Sequence, residues 1–230
     1  MLQKTRGIVL SYIRYRETSI IVRVYTEEYG LQSYIVNSVR SSKSKGSRIA
    51  LYQPLTMLEM VVYYKPDRDL HRLSEAKTTY PLQHIPFEVA KSSMALFMSE
   101  MLSKTLKEEA GNPELYRFLE ASILHLEEAS SGFENFHIAF LLKLAAFLGF
   151  VPSSASEFES QLREHNYPFL PDESAEAALA VFLRQPLGTP VKINRSVRGE
   201  LLDAVVAFYR IHIDGLGEIK SLPVLREVLS

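Results

Sequence analysis

Thr5-Arg6-Gly7-Ile8-Val9-Leu10-Ser11-Tyr12-Ile13-Arg14-Tyr15, followed by Ser19-Ile20-Ile21-Val22-Arg23-Val24-Tyr25-Thr26, decides the fold of this chain. Both stretches are rich in Ile, Val, Leu and Tyr and are bounded by turn-forming residues, the signature of strands on a pleated, half-buried surface. Working outward, Leu31–Val39, Leu55–Tyr64 and His71–Tyr80 have the same character. The punctuation is chemically sensible. Gly30 can turn the chain after Thr26-Glu27-Glu28-Tyr29, residues 40–48 are rich in Ser and Lys around Gly46, and Pro66-Asp67-Arg68-Asp69 is a turn signal.

Five short strands in about 80 residues predict a small barrel or sandwich, and a five-stranded oligonucleotide/oligosaccharide-binding (OB) fold is the economical choice. Beyond Pro81 and Pro86 the apolar period changes from two to about 3.6. Val89, Met94, Leu96, Phe97, Met101, Leu102 and Leu106 predict one helix, and Asn112-Pro113-Glu114 reads as the capped start of a second, ending near Ala129. Phe133–Leu148 is apolar almost all round, so this third helix belongs at the centre of a bundle. Residues 153–171 read as irregular. Ser174–Arg184, Ser196–Ile213 and a short segment after Ser221-Leu222-Pro223 complete about six helices. The expected class is therefore α+β and multidomain, with an OB-fold DNA-binding domain over residues 1–80 and an all-α helical domain over residues 81–230.

Length and composition narrow the function. The 230 residues, 47% hydrophobic and 23% charged, describe an ordinary globular protein. With no cysteine there is no disulfide framework, thiolate zinc site, iron–sulfur cluster or cysteine nucleophile. No apolar run reaches a signal peptide's core or a membrane span, so a cytoplasmic protein that does not engage membranes is expected. The net charge of −1 conceals an asymmetry. Residues 1–77 carry 13 Lys and Arg against 7 Asp and Glu, a balance of +6, and the remainder carries 13 against 20, a balance of −7. A basic segment of this kind suits a polyanion.

The strands mix cations with aromatic rings. Alternation puts Tyr12 and Arg14 on one face of the first strand and Arg23 and Tyr25 on one face of the second. Single-stranded nucleic acid is held by that mixture, with cations on phosphates and rings under unstacked bases. Strand tyrosines also commonly do no more than cover a sheet. The stretch Arg40-Ser41-Ser42-Lys43-Ser44-Lys45-Gly46-Ser47-Arg48 adds four cations without an acid, suited to following a phosphate backbone rather than reading bases.

Catalytic patterns fail. Ser42 and Lys45 have the Ser-x-x-Lys spacing of some acyl-transfer enzymes but sit in a polar loop instead of opening a buried helix. None of the ten glycines precedes a lysine, which removes a Walker A loop, and Gly215-Leu216-Gly217 lacks the third glycine of a dinucleotide site. Asp67-x-Asp69-x-His71 offers oxygen ligands for a hard cation but reads more simply as a turn. His212 and Asp214 have no nucleophile to serve. The expectation is a protein without catalytic residue, metal or cofactor.

The ordered set of short motifs resembles one family. Gly7-Ile8-Val9-Leu10, Tyr15, Glu17, Ser19, Thr26-Glu27-Glu28, Gly30 and Gln53-Pro54-Leu55 are similar to the N-terminal pattern of RecO, a bacterial recombination mediator family. Leu148-Gly149-Phe150-Val151-Pro152, Ile213-Asp214-Gly215-Leu216 and Lys220-Ser221-Leu222 are similar to its helical domain. The resemblance implies a non-enzymatic DNA repair protein that binds single- and double-stranded DNA and anneals complementary strands. It also implies partnership with RecR, with the C-terminal tail of single-stranded-DNA-binding protein and, indirectly, with RecA during its loading. Two departures stand out. Residues 153–171 lack the four-cysteine zinc site of some members, and Asn37-Ser38 replaces a frequent Lys-Gly before the basic loop. The residues expected to meet DNA are Arg14, Arg23, Arg40, Lys43, Lys45 and Arg48 on phosphates and Tyr12 and Tyr25 under bases. Lys143, a cation on the apolar helix, is the candidate for a partner's terminal carboxylate. The competing reading is an adaptor whose barrel binds no nucleic acid.

Overall fold

The computed structural model describes residues 1–37, 39, 48–107 and 110–229, the Arg48 side chain excepted. The predicted strands are present as β1 (Leu2–Tyr15), β2 (Ser19–Thr26), β3 (Gly30–Val36), β4 (Met57–Tyr63) and β5 (Leu70–Thr78). They close in the order β1-β2-β3-β5-β4, antiparallel except for the pairing of β3 with β5. The parallel pairing is three residues long, Ser33 to Ile35 against Leu70 to Arg72. This is the OB-fold barrel that the hydrophobic alternation predicts.

Alternation fills the barrel. Val9, Ile20, Val22, Val24, Tyr34, Val36, Leu58, Met60, Val62 and Leu73 form the interior cluster, and a 3₁₀ turn at Arg48–Tyr52 packs Leu51 and Tyr52 against it. Gly7 belongs to that interior by necessity. A Cβ there would lie 2.5 Å from Val24 and 2.6 Å from Met60, so both side chains would have to shift to admit any larger residue at this position. A bulge follows. Val9 pairs with Val24 and Ser11 with Arg23, leaving Leu10 as the extra residue. Its consequence is a change of parity along β1: inward positions run through Gly7 and Val9 before the bulge and through Tyr12 after it.

Seven α-helices follow among the described residues: α1 (Val89–Thr105), α2 (Pro113–Glu128), α3 (Phe136–Phe147), α4 (Ala155–Glu164), α5 (Glu173–Arg184), α6 (Arg195–His212) and α7 (Leu222–Val228). Asn112 caps α2 by accepting from the Glu114 and Leu115 amides. Asp172 and Asn194 cap α5 and α6 in the same way. The helix that sequence reading missed is α4, in the stretch expected to be irregular. It buries only Phe158 and Leu162, too sparse an apolar pattern to register, yet Ser154 accepts from the Glu157 amide and Glu157 accepts from Ser153, a capping-box arrangement. α3 is buried on nearly every side, as its composition predicts, and packs on α5 and α6. Tyr209 of α6 donates to the Leu141 carbonyl of α3 at 2.7 Å.

Contacts divide the chain into two compact units, residues 1–87 with 95–123 and residues 88–94 with 124–230. The first unit therefore holds more than the barrel: it takes in most of α1 and of α2. Among the described residues no helix is long and apolar enough to cross a membrane.

Candidate nucleic-acid interface

Antiparallel and parallel partners share a face, so register tells which outward side chains stand together. One outward row crosses the wall as Met57, Ile8, Tyr25 and Leu31, and all four are buried. The first unit's helical segments attach on this side. Ser99 of α1 donates to the Leu10 carbonyl, and Arg6 bridges Glu27 of the barrel at 2.8 Å and Glu120 of α2 at 3.0 Å while standing 5.0 Å over the Tyr116 ring. The Arg6 guanidinium holds the Glu27 carboxyl below its usual range, and the paired Glu27 raises the guanidinium further above its own.

The opposite side of the wall is bare. There Ile13 pairs with Ile21, Ile21 with Ile35, Ile35 with Arg72 and Arg72 with Tyr63. The adjacent row runs Ser11, Arg23, Ser33 and Leu70. These two rows contain no acid. Ile13 is 63% exposed, Tyr63 43% and Leu70 39%, and both arginines are exposed. Arg72 stands 5.9 Å over the Tyr63 ring. The loop after β1 adds Arg16, in the left-handed region at φ 52° and 5.2 Å over Tyr15, and the β4–β5 loop adds exposed Lys65 and Arg68 beside Asp67 and Asp69. In the OB fold this is the side, strands 2 and 3 with the first and last loops, that receives oligonucleotides.

Behind the bare wall, an aromatic stack anchors the β4–β5 loop. Tyr29 and Tyr64 stack with centroids 4.0 Å apart, and Tyr64 meets His71 at 4.8 Å. His71 Nε2 lies 3.0 Å from Gln32 Oε1, while its Nδ1 accepts from the Lys65 amide at 3.5 Å. Gln32 in turn donates to the Tyr29 carbonyl at 2.7 Å. This pattern requires the neutral imidazole protonated at Nε2, and burial lowers its pKa accordingly. His71 thus serves the barrel interior, while Asp67 and Asp69 remain in the exposed turn. Among the described residues no group of three or more His, Asp and Glu side chains could hold a metal ion.

The structure sorts the residues expected to meet DNA. Arg23 stands on the bare wall. Tyr25, on the same face of the same strand, is only 1% exposed, because that part of the face is the covered side, and its ring cannot receive a base. Tyr12 and Arg14 share a face as alternation requires, but the bulge turns that face inward. Tyr12 is half-buried against the interior cluster, and Arg14, opposite Ile20, emerges exposed at the end of the strand. Arg40, Lys43 and Lys45 and the side chain of Arg48 lie outside the described residues, as do Ser42 and its spacing to Lys45. Lys143 donates to the Leu183 carbonyl at 2.7 Å, satisfying the C-terminal end of α5, and burial lowers its pKa. Sequence reading did not single out Arg16, Tyr63, Lys65, Arg68 and Arg72, which the structure brings to the barrel's exposed side. For Arg72 and Tyr63 the signal was available in the spacing of β4 and β5 but only once their register was known.

A closed five-stranded barrel of OB topology, followed in the chain by helices, defines the class as an OB-fold protein with a helical C-terminal region. Comparison with known sequences makes this particular. Residues 1–82 match the family model "Recombination protein O N terminal", and residues 86–223 match "Recombination protein O C terminal". The DNA repair protein RecO of Phocaeicola vulgatus is 37% identical over the full length of both chains. That of Flavobacterium psychrophilum is 34% identical over 99% of each chain, and that of Porphyromonas gingivalis 29% over 98% of each. The chain belongs to the RecO family of DNA repair proteins.

Proposed function

We propose that this protein is a cytoplasmic, non-catalytic recombination mediator that binds single- and double-stranded DNA, anneals complementary strands and, with RecR, assists the loading of RecA. The observation that carries the reading is the bare wall, where Arg23 and Arg72 flank Ile21, Ile35 and Tyr63 with no acid in either row. Cations spaced along an apolar and aromatic strip neutralise phosphates and leave bases free to lie on the strip. Annealing then needs no bond made or broken, only the repulsion between two strands reduced far enough for bases to pair. Arg14, Arg16, Lys65 and Arg68 extend the positive field around the strip.

For the acidic tail of single-stranded-DNA-binding protein, the support is a cavity of about 250 Å³ lined by Arg195, Arg198, Arg226 and Asp203 together with Leu202, Leu225 and Leu229, in which Arg226 pairs with Asp203 and Arg198 donates to Asn135 and the Leu229 carbonyl. Exposed Arg195 beside a leucine-lined pocket suits a terminal carboxylate on an apolar residue better than Lys143, whose ammonium already caps α5. A labelled tail peptide is expected to lose affinity for an Arg195→Glu variant and to keep it for Lys143→Met.

The test of DNA binding is the titration of a labelled single-stranded oligonucleotide at several salt concentrations. For wild type, log K should fall linearly with log salt, by about 0.7 per neutralised phosphate, and the double variant Arg23→Ala, Arg72→Ala should flatten that slope by about 1.4. Absence of binding at low salt overturns the reading and leaves the adaptor in its place.

A further inference from the structure

Strands β3 and β5 part company after their third pair, and the gap is a site. Past Ile35 and Arg72 the two strands diverge around a cavity of about 470 Å³, lined by Val36, Asn37, Leu51, Arg72, Leu73, Ser74, Glu75 and Ala76 among others. That volume lies within the range of about 300–1,000 Å³ typical of small-ligand sites. The ladder fails on the other side of β5 as well. Val61 pairs with Glu75 and Val62 with Leu73, so Ser74 is a bulged residue with no partner in β4, and β3 has already departed. Bulges are enriched beside binding sites because they aim polar backbone away from the ladder.

We propose that this seam takes one unstacked nucleobase of the single strand lying on the bare wall. The inference rests on the reading of that wall as the DNA interface. Leu51, Leu73 and Ala76 give the base an apolar floor, and the Ser74 bulge, the Asn37 amide and the Glu75 carboxylate offer donors and acceptors to its edge. Arg72 belongs both to the outer strip and to the mouth of the cavity, so a phosphate held by Arg72 leaves its neighbouring base within reach of the seam. Glu75 accepts from the exocyclic amines of adenine, cytosine and guanine, and thymine has none to give. The seam therefore favours amine-bearing bases. Arg23, elsewhere on the strip, sees only backbone.

The experiment compares three single-stranded oligonucleotides of equal length and charge on the full chain at one salt concentration: mixed sequence, oligo-thymidine, and a strand with an abasic site at every third position. Wild type is expected to bind the abasic strand about five- to tenfold more weakly than the mixed one, the loss of roughly one buried base. Oligo-thymidine should fall between them. Ser74→Leu, an exposed position whose side chain would fill the mouth, is expected to erase the difference between the strands, whereas Arg23→Ala weakens all three alike. If Ser74→Leu leaves the difference between the strands as large as in wild type, the seam is not a base pocket, and the bases are read on the wall alone. If none binds at low salt, the wall reading itself fails.

Discussion

The barrel's two sides are built from the same five strands and differ in what they face. On the covered side the outward row is Met57, Ile8, Tyr25 and Leu31, and all of it is buried where α1 and α2 attach. On the bare side the outward row carries Ile13 and Tyr63 in the open, interleaved with Arg23 and Arg72. Both sides show strand alternation of apolar with other residues. What separates them is whether a polar backbone of cations is interposed, and that decides whether an apolar wall is stability or surface.

The comparison can be broken most severely from the covered side. Tyr25→Ala is expected to destabilise the barrel by about 3–5 kcal/mol, the cost of truncating a fully buried aromatic side chain, as read by chemical denaturation. A change below about 1 kcal/mol would mean that the row is not a core. Next comes acid. The folded-state pKa of His71 lies below its unfolded value near 6.5, so its contribution to stability is complete above pH 6.5 and is lost as pH falls through the folded value. Loss proceeds by at most about 1.4 kcal/mol per pH unit per histidine. In the helical unit, burial pushes His137 down to about 3, so its window runs from about pH 6.5 to about pH 3. Urea midpoints measured from pH 7.5 to pH 4.5 should decline, and His71→Gln should flatten the part that belongs to the barrel.

A smaller effect is expected from Arg6→Ala. It removes the bridge between Glu27 and Glu120, but more than a third of the Arg6 side chain is exposed, so water screens the pair and the cost is about 1 kcal/mol. Raising the salt to 1 M should shrink the gap between wild type and variant. Least of all, Arg23→Ala with Arg72→Ala is expected to leave thermal stability within about 0.5 kcal/mol of wild type while lowering DNA affinity. A large fall in stability there would make the bare wall structural.

The strands were legible from residues because β1 and β2 declare themselves by composition, and the barrel follows from five of them in sequence. Arg23 was legible as an outward cation for the same reason. Tyr25 was not, because alternation places it outward without saying that α1 and α2 attach there. Tyr12 and Arg14 were misdirected by a single extra residue, Leu10, which no local pattern announces. Arg72 and Tyr63 required the register of β4 against β5 to be seen as partners. The helix α4 was announced only by its cap, Ser154 with Glu157, since two buried residues give no visible period.

The three-residue junction of β3 with β5 also sets the order in which the barrel assembles. Every other neighbouring pair of strands is antiparallel and joined through six to eight residue pairs. Whereas β1–β4, which closes a longer stretch of chain, is repaid by seven pairs of contact, the β3–β5 pairing brings residue 33 to residue 70 for only three. The entropy of closing that loop is largely spent before any reward arrives, so the ring is the last part of the sheet to shut and the first to part. Amide hydrogens at Ser33–Ile35 and Leu70–Arg72 should therefore exchange with solvent ahead of those in the β1–β2 hairpin, and the molecule breathes at the mouth of the seam proposed to take a base.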